Sequence, residues 1–199
     1  MVPLMLEHIA DFLRYSGDVN LWRWWLRPPP VDADGMRREV ELALAQRDSG
    51  VRMPFSIFNQ EKAEHIGSTS LWHVERTYRS FEIGSTWLAT PFHGTGVNRE
   101  CKQLLLRYGF EELGMNRAVL QTDELNTRSR RAIEKLGFRF EGIMREDKVT
   151  WNGRVRSSAL YSLLRNEWVP NQQPPPRMPV SGTPAANATV APPPGIAGR

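Results

Sequence analysis

Two stretches of this 199-residue chain hold residue types at spacings that suit chemistry. The first, Trp87-Leu88-Ala89-Thr90-Pro91-Phe92-His93-Gly94-Thr95-Gly96-Val97-Asn98, breaks a strand-like run at a proline, passes through paired glycines and enters a long amphipathic helix. Glycines let the backbone approach a ligand with unusual dihedrals, and the helix start adds free N–H groups and a positive dipole end, an arrangement suited to a phosphate. Taken alone, Gly-x-Gly also marks an ordinary tight turn from strand to helix. The second stretch is Asn126-x-x-Ser129-x-x-Ala132-Ile133-x-Lys135-x-Gly137-Phe138, a helix that follows a short strand and stops at a glycine. Upstream, Glu82 falls mid-strand on the face opposite Phe81, Ile83 and Ser85. Partly buried, its carboxylate could act as a proton acceptor, directly or through water; a solvated strand residue or an ion pair is the competing reading.

Together the two stretches resemble the GNAT superfamily of acetyl-CoA-dependent N-acetyltransferases. The phrases Ile66-Gly67-Ser68-Thr69 and Glu82-Ile83-Gly84, with Gly94 to Asn98 and Arg154 to Leu163, look like its RimJ/RimL-type branch, over most of residues 2 to 168. The resemblance implies acetyl-CoA as co-substrate, its pyrophosphate held by backbone N–H groups of His93, Gly94, Thr95, Gly96, Val97 and Asn98. It also implies that backbone groups of Trp87, Leu88 and Ala89 pair with the pantetheine arm like a neighbouring strand, while Asn126 and Ser129 line the thioester end. Two substitutions stand out, His93 where the superfamily often has Arg or Gln, and Asn98 for a small residue; a cradle of backbone groups tolerates both. Ile133 occupies the position of the family's usual tyrosine, so Ser129 is left as the polar contact to the sulfur. A serine hydroxyl has no useful acidity near neutrality and would act there by hydrogen bonding. The implied reaction is direct attack of a primary amine on the thioester in a ternary complex, with a protein N-terminus or a small-molecule amine as acceptor. A catalytically weak acetyl-CoA-binding or regulatory module is the alternative.

The elements that must position these residues follow from periodicity. Leu6 to Tyr15 and Gly35 to Arg47 read as helices, with apolar residues such as Met36, Val40 and Leu44 at helical spacing. Strands are expected at Met53 to Asn59, Ile66 to Val74 and Arg79 to Leu88, then a helix from Thr95 to Leu113 with Cys101, Leu104 and Leu105 on its apolar face. After the Asn126 helix, Phe138 to Val149 and Val155 to Leu163 form a hairpin about Asn152-Gly153. The fold class is α/β (α+β), a mixed central sheet flanked by helices, as a GNAT fold requires, with an abbreviated first strand in Met1 to Leu4. Trp22, Trp24 and Trp25 cannot all point inward on one element, so at least one lines a cleft or covers the acceptor site.

Composition bounds the rest. With 40% hydrophobic residues and seven tryptophans, residues 1–169 can bury one proper core. Residues 170–199 hold nine of the fifteen prolines and no acidic or aromatic residue, which predicts a disordered tail. The net charge of +4 includes Arg177 and Arg199 of that tail, and the cluster Arg128, Arg130, Arg131, Lys135 and Arg139 reads as a solvated helix face, so no nucleic-acid partner is expected. No apolar run is long enough to span a bilayer, and a single cysteine excludes an intramolecular disulfide and any multi-cysteine metal site. The histidines lack metal-ligand spacing, so no metal is expected, and the cytoplasm is the expected location.

Overall fold

A computed structural model describes residues 1–168. The proposed tail, 170–199, lies outside the described residues. The chain runs β1 (Val2–Pro3), α1 (Ile9–Ser16), α2 (Ala33–Asp48), β2 (Arg52–Asn59), β3 (Glu64–Glu75), β4 (Ser80–Leu88), α3 (Val97–Arg107), β5 (Arg117–Asp123), α4 (Thr127–Glu134), β6 (Arg139–Val149) and β7 (Val155–Leu164). One seven-stranded sheet has the order β1-β2-β3-β4-β5-β7-β6. Every pairing is antiparallel except β4 with β5, the two strands joined by the α3 crossover. The abbreviated first strand is present as two residues, Val2 opposite Ser56 and Pro3 opposite Phe55, continued by the Leu4 N–H bond to the Pro54 carbonyl.

Strand alternation sorts the core into two layers. Trp87 packs with Leu4, Phe12, Trp22, Met36 and Val40 on the α1/α2 side, whereas its neighbour Leu88 packs with Ile57, Ile66, Phe92 and Cys101 on the α3 side. A larger cluster on that side joins Phe81, Ile83, Leu105, Leu106, Phe110 and Ile133. Helix starts follow local chemistry: Asp32 caps α2 by accepting from the Gly35 N–H at 2.6 Å, and Asn126 caps α4 by accepting from the Ser129 N–H at 3.1 Å.

The helix expected from Thr95 to Leu113 is regular only over Val97–Arg107 and continues as a π turn over Tyr108–Glu112. The change falls where the helix packs tightly on the sheet, since a Cβ on Gly109 would lie 2.3 Å from Phe81 Cζ. Gly114, at φ +67°, ends the helical run. Trp22 is fully buried with its indole N–H donating to the Ser16 carbonyl, while Trp24 and Trp25 remain partly open.

Candidate active site

The cleft begins where the parallel strands part. Pairing of β4 with β5 runs from Ser80 opposite Arg117 to Ile83 opposite Leu120 and goes no further. Beyond it, Trp87 and Leu88 stay with β3 while Gln121 to Asp123 stay with β7. Ser85 adopts φ +47° within a register shift of β3 against β4, a bulge that turns β4 away and leaves backbone groups of both strands facing a gap. The resulting cleft encloses about 990 Å³.

At one end lies the glycine turn. Gly94 and Gly96 take φ +79° and +94°, and α3 starts from Gly96 without any side-chain cap, so its first N–H groups are open to an anion. Arg99, Arg128, Arg131 and Lys135 line the same end. His93 joins the turn to its surroundings: its ring nitrogens lie 2.7 Å from the Leu88 carbonyl and 2.9 Å from an Arg128 guanidinium nitrogen. Because arginine only donates, Nδ1 must accept, which assigns the proton to Nε2 and keeps the imidazole neutral. Burial first, then the Arg128 charge, hold the His93 pKa below its ordinary value.

At the other end the sheet face opposite α3 forms a polar floor. Glu82, Gln121, Lys148 and Arg156 share it, with Lys148 Nζ donating to Gln121 Oε1 at 2.7 Å and to Asp147 Oδ2 at 3.0 Å. Burial raises the Glu82 pKa, opposed by the nearby charges of His73, Lys148 and Arg156. A roof lies above it, formed by Trp24 and Trp25 and pinned by the β6–β7 turn: Trp151 donates from its backbone to the Trp25 carbonyl and from its indole to the Trp22 carbonyl. Arg154 stacks over Trp24 and pairs with the fully buried Asp123.

Of the residues singled out from the sequence, Glu82, Trp87, Leu88, His93, Gly94, Gly96, Asn98, Asn126 and Ser129 line this cleft. Ala89, Thr95 and Val97 do not. The Ala89 N–H is taken by the Ile66 carbonyl, Thr95 is exposed with its hydroxyl on the Phe92 carbonyl, and Val97 packs toward the core. Trp87 and Leu88 send their side chains into the two core layers, so only their main chain is at hand for a ligand. Ile133 lies at the cleft wall with no hydroxyl to offer, 5% exposed. Cys101 is core, its thiol pushed up by burial to about 11. Among the described residues no group of three or more His, Cys, Asp or Glu side chains is placed to hold a metal ion.

Sequence reading missed Lys102 and Arg156. Lys102 is 4% exposed on the cleft wall, with Nζ donating to the hydroxyls of Thr69 (3.2 Å) and Thr86, and burial lowers its pKa to about 8. Its signal was present in the spacing, since Leu105 and Leu106 stand three and four residues on along the same buried face. Arg156 carried no such mark, because its surroundings come from strands far apart in the chain.

A parallel strand pair splayed around a cleft, with an uncapped helix N-terminus at its edge, defines an acyl-CoA transferase architecture. The comparisons agree: residues 1–139 match the model of the acetyltransferase (GNAT) domain, and the chain belongs to this family. It is 37% identical over 102 residues to YdaF of Bacillus subtilis (strain 168), a provisionally named ribosomal N-acetyltransferase. That match covers 51% of this chain and 55% of YdaF, so the chain spans about half the length of that relative. A provisionally assigned acetyltransferase structure from T. thermophilus is 34% identical, with a TM-score of 0.74 over 83% of this chain and 85% of that one. The fold is also that of Mycobacterium smegmatis RimJ in complex with CoA-disulfide, with 21% identity, a TM-score of 0.73 and coverage of 83% and 81% of the two chains. Among the described residues no helix is long and apolar enough to cross a membrane.

Proposed function

We propose that this protein transfers the acetyl group of acetyl-CoA to a primary amine by direct attack in a ternary complex, as a RimJ/RimL-like enzyme. The observation that carries the reading is the cleft itself, which has an anion-ready helix start at one end and a desolvated carboxylate at the other, joined by unpaired strand edges. The pyrophosphate fits the N–H groups of Gly96 and Asn98, with Arg99 and Arg128 close by, and the pantetheine amides fit the edge of β4 at Trp87 and Leu88.

The amine must be neutral when it attacks. Glu82 serves as the base that takes its proton, and partial burial suits the carboxylate to that task by raising its proton affinity. The amine nitrogen then bonds to the thioester carbonyl carbon, the carbon–sulfur bond breaks, and the second proton shed by the acetylated nitrogen passes through water to the departing CoA thiolate. Ser129, in the first turn of α4, hydrogen-bonds the sulfur as charge builds on it. The acceptor is a protein N-terminus or a small-molecule amine, the former favoured by the name of the ribosomal relative YdaF, and the single cysteine fits a cytoplasmic setting. Incubating the protein with acetyl-CoA and a panel of N-terminal peptides and small amines, with CoA release as readout, tests this. Acetyl-CoA binding without turnover on any amine would refute transfer and leave a CoA-binding module.

A further inference from the structure

Arg156 sits on the cleft floor with its terminal nitrogens unused among the described residues. It projects from β7 onto the cleft floor, 7% exposed, with Nε donating to Ser158 Oγ at 3.1 Å. Its nearest carboxylate oxygen, Asp123 Oδ2, lies 3.9 Å from Nε and is already engaged by Arg154. Among the described residues neither terminal nitrogen of Arg156 has a hydrogen-bond acceptor. Nor are those nitrogens sealed among the buried polar atoms that lack a partner, a set that contains only Ser16 Oγ among the described residues, so they open on the cleft.

A guanidinium that faces the charges of Asp123, Asp147 and Glu82 yet hydrogen-bonds none of them keeps its planar fork open to the cleft, well placed to receive a carboxylate through two parallel bonds. Lys148, the other cation on this floor, differs in that Asp147 and Gln121 already occupy it. Glu82 faces the same space, so the floor presents an anion for an ammonium and, in the terminal nitrogens of Arg156, unused donors for a carboxylate. We infer that the acceptor carries a carboxylate close to its reacting amine and that Arg156 grips that carboxylate while Glu82 receives the amine. Two sources share this chemistry: a free amino acid, or a polypeptide N-terminus with an acidic side chain near its first residue. The inference rests on the acetyl-transfer reading above.

The test compares kcat/KM for matched acceptors with the full chain and acetyl-CoA. One arm sets amino acids against their decarboxylated amines, such as tryptophan against tryptamine. The other sets C-terminally amidated peptides with Asp or Glu at the second position against the same peptides with Asn or Gln. The carboxylate-bearing acceptor is expected to be favoured by about ten- to a hundred-fold in one arm, mostly through KM, as for a desolvated charge-assisted pair. In Arg156→Lys, which keeps the charge and loses the fork, and in Arg156→Gln, that ratio should fall toward one. Turnover of amines with no carboxylate preference in either arm, or a preference unchanged in both variants, overturns this inference and leaves acetyl transfer standing. A variant that loses all acceptors equally while binding acetyl-CoA assigns Arg156 a merely structural role and also overturns it. No turnover with any amine overturns the acetyl-transfer reading, and this inference with it.

Discussion

Replacing Lys102 by methionine should make the protein more stable at neutral pH. The side chain is 4% exposed, its ammonium meets only the hydroxyls of Thr69 and Thr86, and no carboxylate pairs with it among the described residues. Burial lowers its pKa from 10.5 to about 8. Between those values the unfolded chain holds a proton that the native protein has released, so this group makes native stability rise with pH through that window. Below pH 8 both states are protonated and the native state bears the full burden of the buried charge. At about 1.4 kcal/mol per pKa unit that burden is on the order of 3 kcal/mol. Methionine has similar length, fills the same apolar slot and needs no partner. Thr69 and Thr86 keep their own bond at 2.8 Å, so the substitution leaves no stranded hydroxyl. Urea unfolding at pH 7 should therefore show Lys102→Met more stable by up to about 3 kcal/mol, a gain that shrinks toward pH 9.5. A variant less stable than wild type at pH 7, or a gain equal at both pH values, would refute the reasoning. Weaker acetyl-CoA binding by the stabilised variant would give Lys102 a part in the cleft as well.

Glu82→Gln should reduce kcat by about a hundred-fold or more at neutral pH with acetyl-CoA affinity kept, and the loss should shrink as pH rises and the amine is already neutral. Because burial raises the Glu82 pKa, stability falls as pH climbs from the ordinary carboxylate value through the native one and the full burden remains above it, so the same variant should melt higher at pH 8; wild-type turnover across the pH range would remove Glu82 from the mechanism. Ser129→Ala should slow turnover only about ten-fold, with little pH dependence, as fits one hydrogen bond to a leaving sulfur; stopped-flow CoA release measures it. Gly96→Val places a β-branched residue at φ +94° and should abolish acetyl-CoA binding in calorimetry; a folded variant with near-native affinity would move the pyrophosphate elsewhere. Gly109→Ala sets a methyl 2.3 Å from the ring of Phe81, which is 1% exposed and cannot retreat, and should destabilise by about 1–3 kcal/mol in denaturant titration.

What the sequence determined by itself is local. Helical spacing of Met36 and Val40, the glycine turn before α3 and the Asn152-Gly153 hairpin each depend on residues a few positions apart, and each is legible without a fold. Glu82 could be placed on the face away from Phe81 by alternation alone, because Phe81 and Ile83 enter the core on the other side. The tertiary structure decided where the parallel pair parts, since nothing in Ile83 or Leu120 announces that their pairing is the last, and the bulge at Ser85 sits in a residue type that seldom takes a positive φ. It also decided which distant side chains share the cleft. Arg156 and Gln121 come to Glu82 through the strand order β4-β5-β7, and Trp24 comes to Arg154 through a roof pinned by Trp151. Desolvation made Lys102 and Glu82 chemically unusual, and desolvation is set by everything packed around a group, most of it remote in sequence.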